Sequence, residues 1–310
     1  MKSFIPVLFI LVLIFAVSGC SHDKHMELSD LGGVYSSTFD DLDLAIEVSG
    51  QLSEGSIGGI YTNIPSNYIV VTTSNQSNKL LCWGIRRKPN NETPDADPGA
   101  PAMLKKYYGV YIGDTSRKTI YLTFDEGYEN GYTPKILNVL KDNNVKAAFF
   151  ITGPYLNAHQ DLVRRMVEEG HIVGNHTIHH PSLPSCDDKR LEEEVLGLSR
   201  AFKEKFGEDM NFLRPPKGEY SERTLEITSK LGYCNVFWSF AYDDWYRDKT
   251  RGADYAYNKV MNNIHNGAVL LLHAVSKDNA EALDNIIKSA KKSGYSFGTL
   301  DDLNPMLAEE

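Results

Sequence analysis

The sequence predicts an α/β protein whose parallel sheet is closed, or nearly closed, into a barrel. Two observations predict it. After residue 102, stretches typical of buried strands alternate with stretches typical of helices, and ionisable residues follow the predicted strands where they end. Such alternation is typical of a parallel sheet covered by helices. An open, doubly wound sheet is the competing arrangement.

The strands and helices follow one another in seven units. Thr133 is the predicted N-cap of the first helix, Pro134 takes its first helical position, and Gly170 ends the second helix. The predicted helices lie at residues 133–144, 160–170, 187–206, 221–232, 255–264 and 280–292. The predicted strands are TIYLTF (119–124), AAFFIT (147–152), HIVGNHT (171–177), FLRPP (212–216), NVFWSFA (235–241), AVLLLHA (268–274) and YSFGTL (295–300).

The N-terminus has the pattern of a secretory signal. Lys2 precedes a charge-free apolar run over residues 4–17, and small residues lead to Cys20. The ending VSGC also resembles a bacterial lipobox, in which the cysteine is lipidated. We therefore predict a lipoprotein signal over residues 1–19, lipidation at Cys20, and a membrane-anchored protein outside the cytoplasm. An uncleaved anchor or a plain signal is the alternative.

The rest of the chain divides into three predicted parts. Residues 20–87 form an N-terminal extension, either a small β-rich unit or a tether, and the Pro-rich polar segment 88–102 is a linker. Residues 103–306 form the barrel domain. The net charge of −9 argues against a nucleic-acid partner bound through phosphate contacts.

Ionisable side chains follow five of the predicted strands. The carboxyl ends of parallel strands share one edge, so these side chains are expected at one rim, which predicts an active site there. They are Asp125 and Glu126 after the first strand, His176 and His180 after the third, Arg214 after the fourth, Asp244 after the fifth and His273 after the sixth.

The two histidines of the third strand predict a metal site. His176 and His180 have i, i+4 spacing, which lets both imidazoles reach one ion if the segment turns helically. One acid of the pair Asp125 and Glu126 would complete the ligand set if the turn at Gly127 brings both acids into one cavity. Hydrolytic zinc sites have such a set, which also accepts cobalt, manganese or magnesium. A surface histidine cluster is the alternative.

The remaining rim residues fit hydrolysis of an amide or an ester. The acid that does not bind the ion could take a proton from bound water, and Arg214 could orient it. His273 could protonate a departing amine, with Asp244 holding its tautomer and Trp245 forming an apolar wall. A structural salt bridge for Arg214 and a core histidine at position 273 are the alternatives.

Five motifs, in order, resemble those of the polysaccharide deacetylases, the carbohydrate esterases with a NodB-homology domain. TFDEG (123–127) resembles their TFDDG, HTIHH (176–180) their H-[ST]-x-x-H, and RPPKG (214–218) their R-x-P-x-G. DW (244–245) and LLLH (270–273) resemble the last two motifs. The resemblance runs from about residue 119 to 303. It implies a distorted (β/α)7 barrel that removes acetyl groups from a glycan.

The resemblance also implies a role for each motif residue. Asp125 is the base that Arg214 steers, and Asp244 tunes His273. The metal ligands are Glu126, His176 and His180. The substrate-binding residues are Lys217, whose main-chain N–H helps hold the oxyanion, and Trp245 and Leu271, which enclose the acetyl methyl group.

Two positions depart from the family pattern. Glu126 stands where most members have aspartate, and Ala241 takes the first acidic position of a motif often written D-x-x-D-W. These departures resemble the subgroup from spore-forming bacteria that acts on N-acetylmuramic acid in peptidoglycan and leads to muramic δ-lactam in spore cortex. Lys217 could meet the lactyl carboxylate of that sugar. The alternatives are an N-acetylglucosamine deacetylase acting on peptidoglycan or a chitin-like glycan, and a non-catalytic glycan-binding lipoprotein.

Overall fold

The structure is a computed structural model that describes residues 72–247 and 249–306. The predicted signal, the lipidation site at Cys20 and most of the predicted extension lie outside these residues. The strands are β1 (Leu81–Cys82), β2 (Ile85–Arg86), β3 (Asp95–Ala96), β4 (Thr119–Glu126), β5 (Ala148–Ile151), β6 (Ile172–Asn175), β7 (Phe212–Leu213), β8 (Glu219–Tyr220), β9 (Cys234–Asn235), β10 (Ala268–His273) and β11 (Ser296–Gly298). The α-helices are α1 (Ala100–Lys106), α2 (Thr133–Asp142), α3 (Gly153–Ala158), α4 (Gln160–Glu168), α5 (Asp188–Phe206), α6 (Glu222–Lys230), α7 (Ala253–Met261) and α8 (Lys277–Lys292).

A parallel sheet of seven strands forms the centre of the fold. Its order is β10-β4-β5-β6-β7-β9, and β11 pairs with the first residues of β4. Beyond β9, Ser239 N–H donates to the Val269 carbonyl of β10 over 3.0 Å, and Leu271 N–H donates back to the Phe240 carbonyl over 2.8 Å. These bonds connect the two ends of the sheet. The sheet is therefore curled into a distorted barrel, as predicted, and is not an open sheet.

Successive residues of β4 face opposite sides of the curled sheet, as strand geometry requires. Ile120, Leu122 and Phe124 belong to the large apolar cluster that includes helix residues such as Ile136 and Leu283. Tyr121 belongs instead to a smaller cluster, made mainly of strand residues, which fills the inside of the barrel: Ala148, Phe150, Phe212, Cys234, Val236, Val269 and Leu300. The polar rim lies at the carboxyl ends of these strands.

Most predicted helices are present within a few residues of their predicted bounds. Asp187 caps α5, accepting the Arg190 N–H over 2.7 Å, and Gly207 ends that helix with φ of 76°. The predicted N-cap at Thr133 is wrong. Tyr132 takes the cap position and Thr133 is the first helical residue, because its hydroxyl is directed toward Glu126 instead of toward the helix backbone.

The region before β4 packs against the barrel. The range 88–102, predicted as a linker, contains β3 and the first residues of α1. β1 pairs antiparallel with β8, and Trp83 and Leu104 pack with Tyr220 and Phe237 in a third apolar cluster. The helices of the described part of the chain are all too short or too polar to cross a membrane.

Candidate active site

The carboxylate of Asp125 lies at the end of β4 and is held by Arg214. Arg214 is fully buried and donates from Nη1 to Asp125 Oδ1 over 2.6 Å. It also donates to Thr123 Oγ1 over 2.8 Å and to the Val236 carbonyl over 3.1 Å. Its guanidinium carbon lies 4.1 Å from the centroid of the Phe150 ring. These contacts leave the guanidinium one orientation, which fixes the position of the carboxylate.

The neighbours of Asp125 favour its ionised form. Burial of the carboxyl group is the largest single influence and raises its pKa, but Arg214, His176 and His273 together outweigh burial and hold the pKa of Asp125 below its ordinary value. The second oxygen, Oδ2, lies 3.5 Å from His176 Nε2. Asp125 therefore presents an ionised oxygen to the imidazole beside it.

The imidazoles of His176 and His180 converge as predicted. Their Nε2 atoms lie 3.1 Å apart. His176 Nδ1 lies 2.8 Å from the Arg214 carbonyl, which can only accept, so Nδ1 carries the proton and Nε2 of His176 presents a lone pair. Burial lowers the pKa of both groups, that of His180 to about 3, so both imidazoles are neutral at pH 7. Neutral imidazole nitrogens are the form that binds metals.

The turn that brings the two imidazoles together is not helical, contrary to the prediction. Thr177 and His180 have φ of 66° and 58°, in the left-handed region. This conformation is rare for a β-branched residue, and such strain is typical of functional sites. Thr177 Oγ1 accepts the His180 N–H over 3.0 Å, and the intervening His179 points away, its Nδ1 2.8 Å from Glu194 Oε1.

Glu126 lies on the opposite face of β4 from Asp125. The strand continues through Glu126, which pairs with Ile151, so the two acids alternate and the turn at Gly127 does not bring them into one cavity. The Glu126 side chain is fully buried, and Thr133 donates to its Oε1 over 3.4 Å. Burial raises the pKa of Glu126 well above its ordinary value. The structure thus places Glu126 outside the rim, where burial disfavours its ionised form.

The donor set at the rim fits a metal ion only in part. His176 and His180 fit, because their nitrogens converge at a distance compatible with tetrahedral ligands of one ion. Within residues 72–247 and 249–306, no group of three or more His, Cys, Asp or Glu side chains is placed to hold a metal. The carboxylate nearest to His176 at the rim is Asp125, not Glu126. The two imidazoles are therefore the protein ligands that this geometry supports.

His273 and Asp244 form a second pair at the rim. His273 is the register partner of Asp125 on the neighbouring strand β10, so the two side chains emerge next to each other. Asp244 Oδ1 lies 2.7 Å from His273 Nδ1, and Oδ2 accepts the His273 N–H over 2.9 Å. Burial is the largest single influence and lowers the pKa of His273, but the charge and hydrogen bond of Asp244, together with the charge of Asp125, outweigh burial and raise that pKa. His273 is therefore biased toward its protonated form.

The three predicted substrate-binding residues lie near these groups. The half-buried Trp245 ring packs edge-on against the His273 imidazole at a centroid distance of 5.7 Å. Leu271 is buried in β10, two residues before His273 on the same face of the sheet. Lys217 has an exposed side chain and a left-handed backbone with φ of 60°, and its charge acts on the pKa of His180.

The comparison with known proteins agrees with this geometry. The sequence profile described as "Polysaccharide deacetylase" matches residues 112–236. The peptidoglycan-N-acetylmuramic acid deacetylase PdaA of Bacillus subtilis is 45% identical over 227 residues, which are 73% of this chain and 86% of PdaA. The chain belongs to the polysaccharide deacetylase family. The resemblance found in the sequence is confirmed, and the protein is a hydrolase that acts on amide bonds.

Solved structures and a further relative support the same family. The structure of B. subtilis PdaA, described as a family 4 carbohydrate esterase, has a TM-score of 0.72 and 45% identity, covering 76% of this chain and all of that one. A peptidoglycan-N-acetylglucosamine deacetylase of Bacillus cereus is 33% identical over 206 residues, which are 65% of this chain and 74% of the relative.

Two residues that support this deacetylase site, Thr123 and Asn279, were not predicted from the sequence. Thr123 donates to the Leu270 carbonyl over 2.7 Å while accepting from Arg214, so it links β4, β10 and the guanidinium. The signal for Thr123 was present, because it shares a strand face with Asp125. Asn279, in the first turn of α8, donates to Asp244 Oδ2 over 2.5 Å. No spacing in the sequence connects Asn279 with Asp244, since the contact depends on how α8 packs.

Proposed function

We propose that the protein hydrolyses the N-acetyl group of N-acetylmuramic acid in peptidoglycan and that the reaction depends on a divalent metal ion. The observation that carries the proposal is that one rim holds three groups. They are Asp125 beside Arg214, with a lowered pKa, His273 beside Asp244, with a raised pKa, and two converging imidazoles. The similarity to PdaA supports the substrate.

Asp125 is the general base in this proposal. Its lowered pKa keeps it ionised at neutral pH, and Oδ2 is the oxygen not used by Arg214 Nη1. That oxygen takes a proton from the attacking water, whose oxygen forms the new bond to the acetyl carbon. Arg214 stays fixed during the transfer, so the base does not reorient.

His176 and His180 would hold the metal ion. When bound, a divalent ion would lower the pKa of a bound water toward about 7 and would polarise the acetyl carbonyl. Deacetylases of this family are generally metal-dependent. Zinc suits two imidazoles best, and cobalt, manganese and magnesium are the other candidates. Glu126 is not part of this proposed site, because it lies on the other face of β4.

His273 is the general acid. Its raised pKa keeps a proton available at neutral pH, and Nδ1 is occupied by Asp244, so Nε2 carries the proton that is transferred. The carbon–nitrogen bond breaks as the departing nitrogen receives that proton, giving acetate and a free amine on the sugar. The Lys217 main-chain N–H would help hold the oxyanion, and Trp245 and Leu271 would enclose the acetyl methyl group.

The Lys217 side chain gives a physical reason for the muramic substrate. It is exposed beside the imidazole pair and carries a positive charge. N-acetylmuramic acid differs from N-acetylglucosamine by a lactyl carboxylate, which this cation would attract. Deacetylation leaves an amine and that carboxylate on one sugar, from which a muramic δ-lactam of spore cortex can form. The partner is therefore a peptidoglycan glycan strand.

This substrate lies outside the cytoplasm, and the N-terminal pattern supports the same location. We propose that the chain is exported with residues 1–19 as signal and anchored to the membrane by lipid at Cys20. Metabolic labelling with a fatty-acid analogue tests the anchor. Wild-type protein would be labelled and a Cys20→Ala variant would not, while label in both would remove the proposal.

Acetate release from peptide-stripped peptidoglycan and from chitin oligomers tests the reaction. We expect faster release from the muramyl glycan, loss of release with a chelator, and recovery with Zn²⁺. Release that is insensitive to chelation would contradict metal dependence. Faster release from chitin oligomers would favour the N-acetylglucosamine deacetylase, which the B. cereus relative supports. No release with any metal would favour a non-catalytic glycan-binding lipoprotein.

A further inference from the structure

The amide of Asn279 completes the set of donors around the Asp244 carboxylate. Asn279 is buried, with 1% of its surface exposed. Its Nδ2 donates to Asp244 Oδ2 over 2.5 Å and lies 3.3 Å from the His273 carbonyl. With the two bonds from His273, the carboxylate has three donors aimed at it from two chain segments. A carboxylate held by three donors cannot rotate without losing one of them.

The orientation of the Asn279 amide is itself fixed. Its Oδ1 accepts the hydroxyl proton of Tyr242, which is also buried. The amide thus has a donor, Tyr242, on its oxygen side and an acceptor, Asp244, on its nitrogen side. A flipped amide would place oxygen against the carboxylate and NH₂ against the hydroxyl. Only one orientation satisfies both contacts, so the amide always presents its NH₂ group to Asp244.

The local sequence explains why this amide reaches the rim. Ser276 caps α8 and accepts the Asn279 N–H over 3.2 Å, which places Asn279 in the first helical turn, directly after the strand that ends at His273. On the other side, Ala241 offers no side-chain polar group. Apart from the His273 imidazole, the side-chain support for Asp244 in the described residues therefore comes from Asn279 of α8.

We propose that Asn279 is a positioning residue for the deacetylation, acting through Asp244 on His273, and that Tyr242 sets its amide orientation. The inference rests on the proposed function, because it needs His273 as the acid. Of its two contacts at the rim, the 2.5 Å bond to Asp244 is shorter than the 3.3 Å contact with the His273 carbonyl, so we assign the effect of Asn279 on catalysis to Asp244.

A double-mutant cycle on kcat tests this dependence. Asn279→Ala should lower kcat about tenfold in the wild-type protein, the loss of one hydrogen bond to a charged group, with KM changed less than about twofold. In an Asp244→Asn background the same change should lower kcat less than about twofold. Equal losses in both backgrounds would overturn the proposal, because a role in folding alone would be felt in both.

The same cycle separates this inference from the proposed function. If Asp244→Asn alone left kcat unchanged, the acid role of His273 would fail, and the positioning role would fail with it. If Asp244→Asn lowered kcat and Asn279→Ala did not, only the positioning role would fail. Asn235→Ala is the matched control, because Asn235 is equally buried and loses a 2.8 Å bond to Thr228. It should leave kcat within about twofold of the wild-type value.

If Asn279→Ala folds poorly, an NMR measurement without substrate on the conservative variant Tyr242→Phe still tests the proposal. The Nδ1–H proton of His273 in a short bond to a carboxylate gives a low-field NMR signal, which His273→Ala identifies by its loss. Tyr242→Phe removes one hydroxyl and keeps the ring, so it should fold. We expect that signal to shift or broaden in Tyr242→Phe and in Asn279→Ala, and to be unchanged in Asn235→Ala. An unchanged signal in Tyr242→Phe would contradict the role of Tyr242, and in both variants it would overturn the proposal.

Discussion

Replacing Asp244 with asparagine should remove most of the activity, because it deprives His273 of its negative partner. Both side chains are largely buried, with 1% of Asp244 and 16% of His273 exposed, so water screens the pair little. Two unit charges about 4 Å apart at an effective dielectric constant near 20 interact by about 4 kcal/mol. General-acid catalysis contributes about 10²- to 10⁴-fold to rate. We therefore expect kcat to fall about 10²- to 10³-fold at pH 7 in Asp244→Asn.

The same substitution should also change the pH dependence of kcat in a definite direction. Asp244 raises the pKa of His273 in the folded protein, so the acid form is present at low pH and is lost as pH rises through that pKa. Removing the carboxylate should move the alkaline limb of the kcat profile to lower pH. The assay is acetate release from muramyl glycan at each pH.

The neighbouring acid provides the control for this prediction. Asp243→Asn changes the same charge one residue earlier, where the carboxylate is exposed and pairs with Arg251 over 2.9 Å. It should leave kcat and the alkaline limb unchanged. If Asp244→Asn kept the wild-type kcat and the wild-type alkaline limb of the pH profile, the prediction would be refuted, because His273 would then act as the acid without Asp244.

Three further substitutions test other parts of the site. Arg214→Lys should lower kcat at least about 100-fold, because one ammonium cannot reach Asp125 Oδ1, Thr123 and a carbonyl together, and activity within about threefold would contradict this. Glu126→Gln should keep Zn²⁺ affinity, measured by calorimetry, and raise unfolding stability at pH 7. The pKa of Glu126 is higher in the folded than in the unfolded protein. The fold therefore loses stability as pH rises above the pKa of Glu126 in the unfolded chain, and glutamine, which does not ionise, removes this loss. Weakened Zn²⁺ binding in Glu126→Gln would restore it as a ligand. Lys217→Ala should reduce kcat/KM more on muramyl glycan than on chitin oligomers, and equal losses would remove the lactyl contact.

The fold was predictable because the apolar patterns of its strands and helices are visible in the sequence. All seven central strands are present, and the predicted ionisable site residues at their ends, apart from Glu126, lie at one rim. Asp125 contacts Arg214, and His273 contacts Asp244, at the shared rim that the sequence predicted. The carboxyl ends of parallel strands lie at one edge of the sheet whatever the loops do.

What failed depended on local backbone geometry. The strand alternation of β4 continues two residues further than predicted, to Glu126, which places the Glu126 side chain on the helix side of the sheet. The left-handed turn at Thr177 could not be anticipated, because a β-branched residue rarely adopts it. The side chains of Thr133 and Asn279 contact Glu126 and Asp244, and these contacts depend on how α2 and α8 pack against the sheet.

Turnover and Zn²⁺ binding of Asp125→Asn, measured on one preparation, test the central claim most directly. In the proposed mechanism Asp125 takes the proton and the two imidazoles hold the ion. We therefore expect acetate release to fall at least about 1,000-fold while the Kd for Zn²⁺ stays within about fivefold of the wild-type value. Acetate release near the wild-type rate would contradict Asp125 as the base.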